Sequence, residues 1–233
     1  MFANKTILIT GARRGIGYNL ANEFSKLGSF VIDFSKNDNN NKNIDYAVTV
    51  DISNADEVKS AFKNLKTKNL IPDVVINNAS VLSIDHFMLM KPEKALDMIN
   101  INFYGTFLVT KEAAKIMRNK KKGRIVNITS IAKHLKPEGD AIYASTKSAV
   151  ETFGMIVAKE LKGTGITCNS VGVSAIETEM MQKISKNKID EVVNNLTIPR
   201  YASVDDIFNV VRFFVSDESD YITGQTIYLG GVN

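Results

Sequence analysis

Apolar runs rich in β-branched residues recur along the whole chain: TILIT (6–10), FVIDF (30–34), YAVTV (46–50), DVVIN (73–77), RIVNIT (124–129), ITCNSV (166–171) and QTIYL (225–229). Most of the stretches between them carry apolar residues at helical spacing; Ile16, Leu20, Phe24 and Leu27 share one face. Ser53 with Asp56 and Ser203 with Asp206 have the spacing of capping boxes, and Pro92 suits the first turn of a long helix reaching about Met117. Strands that alternate with helices predict βαβ units, hence an α/β fold: a three-layer, doubly wound parallel sheet of about seven strands flanked by helices. No internal repeat or linker breaks the pattern, so residues 1–233 read as a single domain. In such a sheet, ligands bind at the carboxyl ends of the strands, so the residues just after each strand carry the functional information.

Composition excludes several classes. Hydrophobic residues make up 44% and charged residues 23%, a globular balance, and no run of 18 apolar residues suggests a membrane span. The start, MFANKTILIT, lacks the pattern of a signal peptide, and the lone Cys168 excludes an internal disulfide. A cytoplasmic protein without a membrane partner is expected. Cys168 alternates into a strand and reads as a buried thiol. The net charge of +4 is too mild to imply nucleic acid, and the one dense basic run, RNKKKGR (118–124), reads as a solvated connection. The Asn-rich KNDNNNKN (36–43) reads as a surface loop. His86 and His134 lie far apart without cysteines or carboxylates at ligand spacing, so no metal site is expected.

TGARRGIG (10–17) follows the first strand and opens the first helix, which is the setting that makes a glycine motif informative. Gly11 permits the turn, while Gly15 and Gly17 let backbone approach a phosphate and let helix pack on strand. The helix N-terminus then offers free N–H groups and a positive dipole end to a pyrophosphate. This is the Rossmann-type dinucleotide context.

YASTK (143–147) places Tyr143 and Lys147 four residues apart, on one helical face. An ammonium beside a phenol favours the phenolate and lowers the tyrosine pKa, which suits proton exchange with a carbonyl or alcohol oxygen. NITS ends a strand at Ser130, thirteen residues before Tyr143, and ININFYGTF places Asn102 in the long helix. NNAS (77–80) ends the fourth strand. In the order and spacing of these motifs the chain resembles the short-chain dehydrogenase/reductase family in its single-domain form, from Thr10 to about Gly231.

That resemblance implies a cofactor half to about residue 130 and a catalytic and substrate half from about 130 to 233. It implies Tyr143 as general acid or base, Lys147 as its pKa modifier and holder of the nicotinamide ribose, and Ser130 as the group that polarises the substrate carbonyl. Asn102 would hold a water of the proton relay. Gly11, Gly15, Ile16 and Gly17 would line the pyrophosphate, Asp51 and Ile52 the adenine, and Asn78, Ala79 and Ser80 the riboses. Ile176 and Thr178 would meet the nicotinamide end, and the apolar series Met180, Met181, Ile184, Ile189, Val192, Val193 and Leu196 would form a lid. The ending YITGQTIYLGG resembles a strand that packs at a subunit interface, so a homotetramer or homodimer is implied.

The family's NAD-selecting acid would fall at Ser35, followed by Lys36; neither is acidic, and Asp33 lies two residues too early. Arg14 resembles the basic residue that holds the 2′-phosphate in NADPH-using members, with Arg13 beside it. NADPH/NADP+ is therefore the expected cofactor. Departures from the family are Ser80 for glycine, Val173-Ser174 for Pro-Gly, and Gly230-Gly231-Val232 for Asp-Gly-Gly. GRIVNITS, YASTK and SDESDYITGQT are most similar to 3-oxoacyl-(acyl-carrier-protein) reductases, which implies a small-molecule carbonyl or alcohol substrate, with a 3-oxoacyl thioester as the first candidate. Lys121 and Thr164 stand where that subgroup docks its carrier with arginines. A sugar, polyol or other secondary alcohol is the alternative substrate, and a non-catalytic binding subunit the alternative class.

Overall fold

The computed structural model describes residues 2–176 and 186–232. Among these, β1 (Thr6–Thr10), β2 (Phe30–Ser35), β3 (Tyr46–Thr49), β4 (Val74–Asn77), β5 (Gly123–Ser130), β6 (Ile166–Val173) and β7 (Thr226–Tyr228) pair in parallel, in the order β3-β2-β1-β4-β5-β6-β7. Strand order reverses at β1, which has β2 on one side and β4 on the other, so a crevice opens at their carboxyl ends. The inner strands β4, β5 and β6 are buried at every position, which is why they read as apolar runs; the edge strand β3 alternates between exposed and half-buried.

Helices cover both faces. On one, α1 (Gly15–Lys26) buries Leu20, Ala21 and Phe24 beside α8 (Val204–Val215), with the Phe24 and Phe208 rings edge to face at 5.1 Å. On the other, α2 (Ala55–Thr67), α4 (Thr106–Met117) and α6 (Ala141–Glu160) pack Phe62, Leu65, Val109, Met117 and Ala158 onto the sheet. A fully buried aromatic such as Phe24 contributes about 1.5–3 kcal/mol relative to an exposed one. Leu27, expected on the buried face of α1, is exposed instead, because the helix ends there and Gly28 turns the chain at φ +78°.

The helix ends partly follow the sequence. Ser203 and Asp206 form the expected reciprocal capping box of α8. At α2 the cap is Asn54 and not Ser53: Asn54 Oδ1 accepts from the amides of Asp56 and Glu57, while the Ser53 hydroxyl is spent on Asp51 Oδ1 at 2.6 Å. The long helix expected from Pro92 to Met117 is continuous but not uniform. Between α3 (Pro92–Met98) and α4 a π-helical segment, Ile99–Gly105, widens the turn around Asn102. Gly105 closes that segment against Ile52, whose side chain would lie 2.8 Å from an added Cβ.

The basic run divides. Residues 118–122 are exposed, but Arg124 lies inside β5, donating to the carbonyls of Gly123 and Ser216. Cys168 is fully buried in β6, and burial pushes its thiol up to about 12. Among the described residues no helix is long and apolar enough to cross a membrane.

Candidate active site

A cleft of about 390 Å³ lies at the carboxyl ends of the strands. The first wall is the glycine loop, with Gly11, Arg13, Arg14, Gly15 and Ile16. Ser35 and Lys36 follow β2, Asp51 and Ile52 follow β3, and Asn78, Ala79 and Ser80 follow β4. Ser130 from β5, Tyr143 and Lys147 from α6, and Ser174 and Ile176 after β6 complete it. Gly17 and the buried Asn102 stand just behind the surface. Thr178, Met180, Met181 and Ile184 lie outside the described residues, whereas Ile189, Val193 and Leu196 are buried and Val192 faces the cleft.

The glycine loop has the backbone its sequence requires. Gly11 and Gly15 adopt φ +72° and +59°, a region that disfavours other residues. At Gly17 a Cβ would stand 2.4 Å from the Gly11 carbonyl oxygen and 2.5 Å from Asn78 Nδ2. Asn78 fastens the loop to β4 by donating to the carbonyls of Thr10 and Gly11 at 2.9 and 3.2 Å. The N-terminus of α1 has neither an acidic residue in its first turn nor a side-chain cap, so its amides remain available to a phosphate. These residues fit a dinucleotide pyrophosphate.

Beside the glycine loop, in β2, Asp33 is 1% exposed and cannot reach a ligand. Its Oδ1 accepts from the Ala12 amide and the Ser35 hydroxyl, its Oδ2 from Asn39 Nδ2. Burial raises its pKa, against the lowering effect of these donors. Ser35, its hydroxyl hydrogen donated to Asp33 Oδ1, lines the cleft with an oxygen that can still accept. Lys36 reaches across to Asp51 Oδ2 at 2.6 Å.

The catalytic candidates converge from three elements. Ser130 accepts from the Ala132 amide at 3.1 Å, and its hydroxyl hydrogen-bonds that of Tyr143. Lys147 Nζ donates to the Ile128 carbonyl at 2.9 Å. Burial pushes the Tyr143 phenol up to about 12, with Ser130 opposing and Asp140 reinforcing the shift, and brings Lys147 down to about 8. The sequence suggested that the lysine would lower the phenol; in the folded chain desolvation is the larger effect, so the phenol is neutral and able to donate. Asn102 spends its side chain on protein partners, accepting from the Val81 amide and donating to the Val81 carbonyl and Thr146. It therefore braces the segment after β4 against α6.

Sequence reasoning set Asp33 aside as two residues too early and missed Asp140, Val81 and the Ile128 carbonyl. Each adjoins a recognised motif, but only their spatial neighbours give them a part. The substrate end is walled by Leu82, Ile131, Leu135, Pro137 and Val192, all apolar.

The family profile described as enoyl-(acyl carrier protein) reductase matches residues 11–233. The chain is similar to 3-oxoacyl-(acyl-carrier-protein) reductases of Rickettsia felis, 33% identical over 97% of this chain and 95% of that one, and of Staphylococcus epidermidis, 30% identical over 98% of each. Among solved structures it is similar to a 4-hydroxyisoleucine dehydrogenase complexed with NADH, with a TM-score of 0.90 and 27% identity over 98% of both chains.

Proposed function

The chain belongs to the short-chain dehydrogenase/reductase family of NAD(P)H-dependent oxidoreductases acting between C=O and CH–OH, and from that premise we propose that it reduces a ketone to a secondary alcohol with NADPH. The observation that carries this reading is the convergence of Ser130, Tyr143 and Lys147 on one cleft with the glycine loop. A nicotinamide held in this cleft would supply the hydride. Ser130 holds the substrate carbonyl oxygen, and the neutral Tyr143 hydroxyl gives it the proton. Lys147, fixed by Ile128, holds the nicotinamide ribose. Asn102 acts by fixing the loop after β4, and any relay water would be held by main chain rather than by its amide.

Arg14 and Lys36 support NADPH, since both line the adenosine end and a 2′-phosphate favours cationic partners. Lys36 would exchange Asp51 for the phosphate. One observation favours NADH as a second reading: Ser35 presents an acceptor, which suits a ribose hydroxyl. Comparing kcat/KM for the two cofactors, before and after Arg14→Ala with Lys36→Ala, separates them. A loss confined to NADPH supports the first reading; equal values in the wild-type protein sink it and point to Ser35 as the ribose contact.

The apolar wall supports an acyl chain, and so a 3-oxoacyl thioester, over a polyol or sugar. Docking of a carrier protein draws less support. Lys121 and Thr164 lie at the amino ends of β5 and β6, a strand's length of roughly 20 Å or more from Ser130. A panel of 3-oxoacyl thioesters, free ketones and sugars, followed by NADPH absorbance, tests the class; oxidation of none of the cofactor on the whole panel would revive a binding subunit. Exposed Leu96, Ile99, Tyr104, Met155 and Ile156 support a homotetramer or homodimer, measurable by light scattering. The protein is read as a single cytoplasmic domain.

A further inference from the structure

The loop KNDNNNKN is more than a surface loop. Asn39 Nδ2 donates to Asp33 Oδ2 at 2.7 Å, and Asn39 Oδ1 accepts from the Asn41 amide at 2.9 Å. Asn41 and Asn43 both donate through Nδ2 to Asn22 Oδ1 on α1, each at 2.9 Å, and Asn41 Oδ1 accepts from the Asn43 amide. On its other side Asp33 holds the glycine loop through the Ala12 amide, next to the Gly11 amide, which donates to the Phe34 carbonyl at 2.8 Å. One buried carboxylate thus joins the two loops that enclose the adenosine end of the cleft, and orients Ser35 between them.

A carboxylate at this place needs a reason. Asp33 is 1% exposed and shares its face of β2 with the buried Val31, and an ionised group there is costly unless hydrogen-bonded. Three donors compensate Asp33, and all belong to residues that form or adjoin the cleft walls. Resting on the dinucleotide reading of the cleft, we propose that Asp33, with Asn39, is a positioning residue for cofactor binding: a clasp that sets the distance between the glycine loop and the loop after β2. It touches no ligand, so it serves both cofactors alike.

The test is a swap of the two clasp partners, read as KM and kcat for NADPH and NADH. Asp33→Asn opposes two amide donors, and Asn39→Asp opposes two carboxylates. The double variant restores a donor facing an acceptor with the net charge unchanged, and the carboxylate at position 39 still accepts from the Asn41 amide. Each single variant is expected to raise KM for both cofactors about tenfold, the size of one lost hydrogen bond to a charged group, with kcat unchanged. The double variant is expected to return within about threefold of wild type, a recovery that general destabilisation would not produce. Unchanged KM in the single variants overturns the clasp, as does a double variant as impaired as the two singles combined. A loss confined to NADH also overturns it, since the carboxylate would then be meeting the ribose itself. If Asp33→Asn does not fold, Asn39→Ala removes one arm from the exposed side: a raised KM at near-wild-type Tm supports the clasp, and an unchanged KM overturns it. A wild-type protein that binds dinucleotide while the variants match it sinks the clasp alone; one that binds neither cofactor sinks both readings.

Discussion

Lys147 Nζ lies 5.8 Å from the centre of the Tyr143 ring, one turn away on α6. The ammonium is anchored by the Ile128 carbonyl and makes no direct bond to the phenol oxygen in this state. Burial thus keeps the Tyr143 phenol protonated, Ser130 hydrogen-bonds it, and Ile128 fixes Lys147 beside its ring.

Tyr143→Phe deletes the proton donor and little else. It is expected to lower kcat by about 10²–10⁴-fold while cofactor binding, followed by nicotinamide fluorescence, stays near wild type. Wild-type turnover in this variant would rule out Tyr143 as the acid.

The pH profile should follow the lysine. Lys147, lowered to about 8, loses its charge before Tyr143, raised to about 12, loses its proton. The ratio kcat/KM for cofactor in the reductive direction is expected to hold through neutral pH and fall above about pH 8. Stability moves the other way in that window. An unfolded lysine titrates near 10.5, so between about pH 8 and 10 the unfolded chain binds more protons than the folded one and this group's contribution to stability rises with pH. Above about pH 10 the buried Tyr143 and the half-buried Tyr228, both raised, reverse the sign. Activity lost together with Tm from pH 8 upward would mean that the limb reports unfolding.

Gly17→Ala forces a methyl against the Gly11 carbonyl and Asn78. The nearer contact is backbone of the glycine loop, and the other is the Asn78 side chain that fastens that loop to β4. The expected cost is about 1–3 kcal/mol of stability, read as a fall in Tm, with a cofactor affinity loss beyond it. Normal affinity would show that the loop adapts freely.

Ser174 stands where the family resemblance implies glycine, and it is buried at the cleft wall. A hydroxymethyl group is small enough to fit beside a nicotinamide. Ser174→Gly is therefore expected to change cofactor KM and kcat by no more than about twofold, the range of a substitution that meets no specific feature. A marked tightening would show that Ser174 crowds the ring.

The alternation of strand and helix, the glycine loop after β1 and the Tyr143–Lys147 spacing were all legible in the chain, because each depends on local periodicity or on residues within a few turns of one another. The parallel sheet and the place of the cleft follow from that alternation. The apolar series that the resemblance implies as a lid can be followed only in part, since Met180, Met181 and Ile184 lie outside the described residues.

Sequence by itself determined the fold class, the family and the roster of cleft residues, because backbone sterics and hydrophobic period act over short distances along the chain. Tertiary structure alone decided what the polar groups do. Asp33 could be counted as two residues too early for a ribose contact, but only the folded chain shows both its oxygens taken by Ala12, Ser35 and Asn39. Asn102 could be placed on a helix, but its π-helical turn and its bonds to Val81 and Thr146 need elements far apart in sequence to meet. Tyr143 could be paired with Lys147 by spacing, yet the direction of its pKa depends on how much water the surrounding elements exclude. Desolvation and hydrogen-bond partnership are properties of three-dimensional neighbourhoods, and no spacing rule along the chain specifies them.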